Sequence, residues 1–545
     1  METVRSSSIG AAFDEIAGRY PDKEALICED QRITYRQLKE RSAQVARGLM
    51  ALGVEKGEKV SVWMNNNPEW VYAYLGSAKA GSIFVSVNAR FKTHELEYVL
   101  RQSDSRAVLF QDRLHTTNYM EIFREVCPEV SSSVSGNLIS QKFPLLKHVV
   151  CVTPQEETGT LSFSRLLQFG EKNISLAERE ERQNSVQPED LIMIQYTSGT
   201  TSFPKGCMTT HGQVFLDALA IGKNMAIDFT DRLYCPLPFS HAGGCIITLM
   251  KGLLRGATIV TTRHFDPEEA LKVIEREKCT CMNGVETIWL EMLKHPCFDS
   301  YNLHTLKKGW TTGPAELRQS IYEKMGVKRF VSTYGLSEAT ANTGTTLADD
   351  PLELKLAWNG RPHPGSEMKI IDRKTGRTLP PGQEGEICVR GFNVMKGYYR
   401  MPEETSKVID PEGWLHTGDL GVMNEAGYFK FSGRVKDMLR VGGENVAALE
   451  VEGFFMQHPA VKQVQVIGVP DPKLVEVPMA VVQLKEGAKA TEEDVIAFAR
   501  GRLSTFKIPR YVWFVEDFPL TASGKIQKFK LREEAIGHLQ KRNCS

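Results

Sequence analysis

Apolar residues along this chain fall into strand-length runs that alternate with helix-length stretches across short connections. Lys59-Val-Ser-Val-Trp63 reads as a strand. Asn67 and Pro68 then supply an N-cap and a first-turn proline for a helix from Glu69 to Ala80, Gly81 closes it, and Ile83 to Val87 is a second strand. Strand, helix, strand with short connections is a right-handed βαβ unit, and such units build mostly parallel sheets covered by helices. The pattern recurs with Thr258 to Val260, a helix from about Pro267 to Lys278, and Cys279 to Asn283. Phe330 to Thr333 is a further strand, with Tyr334 and Glu338 at its carboxyl end.

From about Asp350 to Ser432 the texture changes to short strands with Gly and Pro turns, as in Arg361-Pro-His-Pro-Gly365 and Leu379-Pro-Pro-Gly382, which predicts a small β-barrel or β-rich subdomain. After Arg434 comes a compact α+β segment. It holds a helix from about Ala447 to His458, the alternating run Val461 to Ile467, a strand from Val477 to Leu484, and a helix opened by the near capping box Thr491-Glu-Glu-Asp494. The expected fold is α/β: a large N-terminal domain, 1–434, of parallel-rich sheets with helices plus the β-rich part, then a small mobile α+β domain, 435–545.

At 545 residues the chain is too long for one ordinary core, which fits more than one domain. Lys plus Arg equals Asp plus Glu at 67 each, so no global field recruits nucleic acid or an anionic membrane, and an anionic ligand must be held by a local site. No apolar run is long enough to span a bilayer. The first twenty residues carry Glu2, Arg5, Asp14, Glu15 and Arg19 without an apolar signal core, so a cytoplasmic protein is expected, as a monomer or homodimer. The eleven cysteines lack a paired framework, and Cys279 and Cys281 read as strand-interior thiols rather than as metal ligands.

The local site announces itself after Leu191 to Tyr196, where an apolar strand-like run empties into Thr197-Ser-Gly-Thr-Thr-Ser-Phe-Pro-Lys-Gly206. Glycine-freed backbone N–H groups, the hydroxyls of Thr197, Ser198, Thr200 and Thr201, and the cation of Lys205 have the composition of a triphosphate cradle. It is not a Walker A loop, because Pro204 precedes the lysine and Gly206 follows it. Open α/β sheets bind ligands at the carboxyl ends of their strands, so this loop and the acidic loop after Thr333 are expected to face one cleft.

Further along stand Tyr334-Gly-Leu-Ser-Glu-Ala-Thr340, Gly413-Trp-Leu-His-Thr-Gly-Asp-Leu-Gly421, Gly433-Arg-Val-Lys-Asp437, Gly442-Gly-Glu-Asn-Val446 and Ser523-Gly-Lys-Ile-Gln-Lys528. In this order and at these separations the motifs resemble the adenylate-forming superfamily, in its AMP-forming acyl-CoA synthetase (acid:CoA ligase) branch. The resemblance covers nearly the whole chain. It implies an ATP-dependent carboxylic acid:CoA ligase that makes acyl-CoA through an acyl-adenylate, with ATP and CoA as co-substrates and Mg²⁺ as cofactor.

By that resemblance Glu338 is the magnesium carboxylate, with Thr200 a second candidate ligand; Tyr334 and Gly335 lie against adenine, as do Gly313, Pro314 and Ala315; and Ser337 contacts phosphate. Ser198, Gly199, Thr200, Thr201 and Lys205 belong to the ATP-binding loop. Asp419 accepts from both ribose hydroxyls, Arg434 reaches ribose or phosphate, and Lys525 is the catalytic cation of adenylation. Lys436 is the hinge, and Gly442, Gly443 and Glu444 line the pantetheine tunnel. Ser202 stands where the family loop has glycine, a departure shared with carnitine-CoA ligase-like relatives that touches the loop's conformation more than its role.

By the same resemblance the acyl group lies along Pro236 to Gly244 with His241 beside the carboxylate, and Ala242, Gly243, Gly244, Val285 and Trp310 are the expected walls. No aspartate between Cys235 and Gly244 is present to hold an α-ammonium, so an amino-acid substrate is disfavoured and a medium-chain, alicyclic or aromatic acid of fatty or aromatic acid metabolism is expected. Two alternatives stay open from sequence: delivery of the acyl-adenylate to an acyl carrier protein, and a carnitine-CoA ligase-like enzyme.

Overall fold

The structure, a computed structural model, describes residues 6–134, 136–153, 157–197, 204–434, 437–441, 444–471, 474–500, 502–503, 505–520 and 525–543. The chain divides into two compact units, Met1–Glu367 with Val389–Leu415, and Met368–Cys388 with His416–Ser545.

The first unit is built on two sheets. A seven-stranded sheet has the order Gly206–Thr210, Leu191–Tyr196, Ile83–Val87, Lys59–Trp63, Ser105–Gln111, His148–Val152, Leu161–Ser162. Lys59–Trp63 and Ile83–Val87 run parallel, Lys59 opposite Ile83 and Trp63 opposite Val87, as the βαβ reading requires. Their crossover helix is Pro68–Ala80, one residue longer than expected at its start: the Asn67 side chain accepts from the Trp70 N–H at 2.8 Å, and Gly81 stops the helix at φ 69°. Nearly every residue of this helix is buried, even Lys79, so it serves as a core helix between other helices and the sheet.

The nine-stranded sheet runs Arg361–Pro362, Gly344–Thr345, Arg329–Tyr334, Lys308–Thr311, Cys281–Asn283, Arg232–Cys235, Thr258–Thr261, Glu24–Cys28, Gln31–Thr34. The expected unit of Thr258–Thr261, helix Pro267–Arg276 and Cys281–Asn283 is present, but Arg232–Cys235 lies between its two strands, parallel to both. Cys279 and Cys281 are buried, and burial raises both thiols, Cys281 to about 11.

One charge sits uncomfortably in this core. Lys251 is fully buried, 3.0 Å from the Met225 Sδ. With its amide oxygen turned toward the donors, Asn283 accepts from Lys251 Nζ at 3.0 Å, Thr248 Oγ1 at 3.0 Å and Trp310 Nε1 at 3.3 Å. Burial lowers the ammonium to about 8, so between that pH and its ordinary value the unfolded chain binds more protons than the fold. The destabilisation is complete below about 8 and fades as pH rises toward 10.5. Lys251→Met, of similar length, is therefore expected to raise Tm by a few degrees at pH 7, and thermal unfolding at pH 10 should show a smaller gain.

In the second unit the β-rich stretch is a four-stranded sheet in the order Ser366–Ile371, Gly385–Gly391, Leu415–Met423, Phe429–Arg434. Of the two expected forms, small barrel or β-rich subdomain, the open four-stranded path is the second. The rest is a five-stranded sheet in which Val461–Asp471 and Val475–Leu484 pair antiparallel and Tyr511–Phe514 joins the latter in parallel. Helix Ala448–Phe455 buries Val451 and Phe455 in this unit's core. Thr491 and Asp494 close a reciprocal capping box on helix Glu492–Ala499, Thr491 N–H to Asp494 Oδ2 at 2.8 Å and Asp494 N–H to Thr491 Oγ1 at 3.2 Å.

Candidate active site

Strand Leu191–Tyr196, which leads into the expected phosphate loop, and strand Gly206–Thr210 form an antiparallel pair that sets Tyr196 opposite Gly206. The Thr197 N–H donates to the Lys205 carbonyl at 2.9 Å, so the two ends of the loop are pinned together. Ser198, Gly199, Thr200 and Thr201 lie outside the described residues. The Lys205 ammonium pairs with Glu404 and lies 5.1 Å from the centre of the Tyr398 ring. Hydrogen bonds from Lys205 and Lys407 hold the Glu404 carboxyl down to about 2.

Glu338 approaches the same tyrosine from the other sheet. It sits in a short 3₁₀ turn, Ser337–Ala339, just beyond strand Arg329–Tyr334, and the Tyr398 hydroxyl donates to its Oε1 at 2.9 Å. Its carbonyl accepts from the Met395 N–H at 2.9 Å. The next residue is strained: Thr340 has φ 62° and ψ −64°, and the Ala341 N–H donates to the Ala339 carbonyl at 2.7 Å, a γ-turn that a β-branched residue rarely adopts. Thr340 Oγ1 offsets part of that cost by donating to the Asn393 carbonyl at 2.7 Å.

A buried polar cluster backs this turn. Asn342 donates to Thr333, faces His363 Nε2 at 2.7 Å, and its carbonyl accepts from Asn393 Nδ2 at 3.2 Å. Burial lowers His363 to about 4, so near neutral pH it enters the cluster as neutral imidazole. Tyr334 is buried at the strand end, and its carbonyl accepts from both the N–H and Oγ1 of Thr343, each at 3.0 Å. The neighbouring parallel strand, Lys308–Thr311, delivers Gly313, Pro314 and Ala315 at the same carboxyl edge; Gly313 N–H donates to Thr311 Oγ1 at 3.1 Å and Pro314 caps helix Ala315–Lys324.

The expected acyl walls also come together. His241 caps the short helix Ala242–Gly244, accepting on Nδ1 from the Gly243 N–H at 3.4 Å. A methyl group placed on Gly243 would lie 3.2 Å from Leu237 Cδ1, 3.6 Å from Trp310 Cζ2 and 3.7 Å from His241 Nδ1. On Gly244 it would sit 2.1 Å from the Pro238 carbonyl, so only glycine fits. Val285 is joined to Trp310 through Gly284, whose N–H donates to the Trp310 carbonyl at 3.2 Å.

In the second unit Asp419 and Arg434 are partners on adjacent strands, with Arg434 Nε 3.4 Å from Asp419 Oδ1. The Asp419 side chain is 8% exposed, behind the left-handed Gly418 at φ 69°. Lys525 is exposed, next to the Leu520 to Ile526 bridge, and Lys528 reaches Glu452 at 2.6 Å. Glu444 opens strand Glu444–Ala447 opposite Val441, while Lys436, Gly442 and Gly443 lie outside the described residues.

The family model of AMP-binding enzymes matches residues 13–399, and that of the AMP-binding enzyme C-terminal domain matches 450–525. The chain belongs to the AMP-binding enzymes, in the acyl-CoA synthetase branch of the adenylate-forming superfamily. The synthetase is 41% identical to YngI of Bacillus subtilis over 98% of each chain. It is 37% identical to the mitochondrial medium-chain acyl-CoA ligase ACSF2 of Rattus norvegicus, over 98% of this chain and 88% of that one. The solved structure of the anthranilate CoA ligase AuaEII in complex with anthranoyl-AMP superposes with a TM-score of 0.87 at 27% identity, covering 97% of each chain.

Sequence reasoning missed Tyr398 and Glu404 in this AMP-binding enzyme. The only local signal is Pro402 followed by Glu403 and Glu404, which marks a helix start but says nothing of its partner. Among the described residues no three His, Cys, Asp or Glu side chains gather into a metal cage. The single oriented carboxylate of Glu338 suits Mg²⁺, which keeps several waters and takes one or two protein carboxylates beside phosphate oxygens. No described helix of the synthetase is long and apolar enough to cross a membrane.

Proposed function

We propose that this synthetase joins an apolar medium-chain, alicyclic or aromatic carboxylic acid to CoA, using ATP and releasing pyrophosphate and AMP. The observation that carries the reading is the convergence of Lys205, over the ring, and Glu338, at the hydroxyl, on Tyr398, in a chain where His241, Gly243 and Trp310, the expected acyl wall, lie near one another. The medium-chain ligase among its relatives supports the same substrate size.

The chemistry explains the charges. A carboxylate approaching the α-phosphate brings two anions together, and unit charges about 4 Å apart repel by about 4 kcal/mol at an effective dielectric of about 20. Lys205 supplies one compensating cation at the triphosphate, exchanging Glu404 for phosphate oxygens. Glu338, with Thr200 as a further candidate, would hold Mg²⁺, which when bound neutralises charge on the phosphate oxygens. Tyr334 and Gly335 with Gly313, Pro314 and Ala315 take adenine, Ser337 and residues 197–201 take phosphate, and Asp419 accepts from both ribose hydroxyls with Arg434 beside it. In the first half reaction Lys525 stands between carboxylate and α-phosphate; in the second the CoA thiolate displaces AMP.

One cleft serves both halves if 435–545 turns about Lys436, removing Lys525 and bringing Gly442, Gly443 and Glu444 to the pantetheine. The Gly-Arg-x-Lys-Asp motif at 433–437 supports that hinge.

The test is pyrophosphate release from MgATP across short, medium, long, alicyclic and aromatic acids, each with and without CoA. Medium or ring acids should give steady turnover only with CoA. Turnover confined to a charged or very long acid would overturn the substrate class, and a burst that CoA cannot relieve would assign the acyl group to another acceptor. A finer prediction follows from the wall: Gly243→Ala fills space against Leu237 and Trp310, so kcat/KM should shift toward shorter acids by about tenfold, measured as the ratio between two chain lengths.

A further inference from the structure

The segment 393–405 touches both charged halves of the site. It zips onto the strand that leaves the phosphate loop: Lys396 N–H donates to the Met208 carbonyl at 2.9 Å, Met208 N–H to the Gly397 carbonyl at 3.0 Å, and Tyr399 N–H to the Gly206 carbonyl at 2.8 Å. At its other end it holds the Glu338 turn through Met395 N–H and the Asn393 carbonyl. Tyr398 lies within the zipped stretch, between Gly397 and Tyr399, its own N–H donating to Thr405 Oγ1 at 2.9 Å, and it is 5% exposed. Its ring faces the Lys205 ammonium at 5.1 Å while its hydroxyl donates to Glu338 Oε1 at 2.9 Å.

We infer that Tyr398 is a positioning residue that registers the two charges against each other, its ring seating the phosphate-loop lysine and its hydroxyl aiming the Glu338 carboxylate. The inference rests on the ligase reading for what those two groups bind. A phenol suits this position because one rigid group offers a π face to a cation and a donor to an anion. Lys205 is a flexible chain that Glu404 also attracts, and a fixed ring limits where its ammonium can wait. Glu338 follows a strained turn, and a single hydroxyl decides which of its oxygens faces outward.

The two functions of the ring separate by substitution. Tyr398→Phe keeps the ring and removes the hydroxyl; Tyr398→Leu removes both. The readouts are ATP binding in EDTA by calorimetry, which senses Lys205, and Mn²⁺ affinity of the ATP complex by electron paramagnetic resonance, which senses Glu338. Tyr398→Phe should bind ATP in EDTA like the parent yet lose about tenfold in Mn²⁺ affinity, the size typical when a metal ligand loses its orienting partner. Tyr398→Leu should lose both, ATP binding in EDTA by about threefold to tenfold. A merely structural tyrosine would lower Tm without this split. Wild-type Mn²⁺ affinity in Tyr398→Phe, which is the variant closest in shape, overturns the inference, as do equal losses in both readouts for the two variants. A parent protein that binds no ATP overturns the inference and the ligase reading together.

Discussion

Lys525→Ala should lower acyl-adenylate formation by about a thousandfold, the loss of about 4 kcal/mol of transition-state stabilisation from one aimed cation. The same variant should convert supplied acyl-AMP and CoA to thioester within about threefold of the parent rate, since in the proposed cycle Lys525 is withdrawn from that step. The contrast follows from what each half needs. Adenylation brings two anions together and depends on positive charge between them, whereas thioester formation needs the thiolate's path clear. Lys525 is exposed and lies beyond the last strand of its sheet, so its truncation should leave the fold intact. Pyrophosphate exchange into ATP reads the first half and disappearance of free thiol reads the second. Equal losses in the two assays would mean that Lys525 serves both, and the two-state cycle would fall.

Gly335→Ala should cost about a hundredfold in kcat/KM for ATP and lower Tm by several degrees, through backbone position rather than through any lost side chain. A methyl there would lie 2.0 Å from the Ala341 carbonyl and 2.8 Å from Asn342 Cα. That backbone cannot retreat easily, because Asn342 is held by Thr333, His363 and Asn393 and Thr340 is already in its strained turn. The displacement would fall on Glu338, three residues away. Gly453→Ala in helix Ala448–Phe455 is the control: a methyl there meets nothing within 4 Å, and adenylation kinetics should be unchanged. Near-parental ATP kinetics in Gly335→Ala would show that the turn tolerates movement.

These two residues also mark where sequence reasoning succeeds. Local rules give local geometry: Asn67, Pro68 and Gly81 bounded their helix because caps act within a few residues, and Thr491 with Asp494 did the same. Glu338, Lys205 and Tyr334 stood out because polar groups directly after apolar strands lie at sheet edges where ligands bind. What stayed hidden is non-local. The insertion of Arg232–Cys235 between two strands that follow it in sequence depends on sheet order, which no short pattern encodes. Tyr398 meets Lys205 across 193 positions of chain and Glu338 across 60, and a Tyr-Tyr pair before a Pro-Glu-Glu helix start reads as an ordinary surface turn. The sequence left barrel and open β-rich sheet undecided between 350 and 432, because turn density counts strands without saying whether the first meets the last; the sheet is open.

The central claim is that this AMP-binding enzyme makes a bound acyl-adenylate and passes it to CoA. The most direct measurement is a single-turnover experiment with enzyme in excess over α-³²P-labelled ATP, octanoate and Mg²⁺, quenched before and after a chase with CoA. The account predicts one labelled octanoyl-AMP per ATP consumed before the chase, and its complete conversion to labelled AMP with an equal amount of octanoyl-CoA afterwards. Labelled octanoyl-AMP that persists through the chase, or thioester that forms without it, would contradict the account.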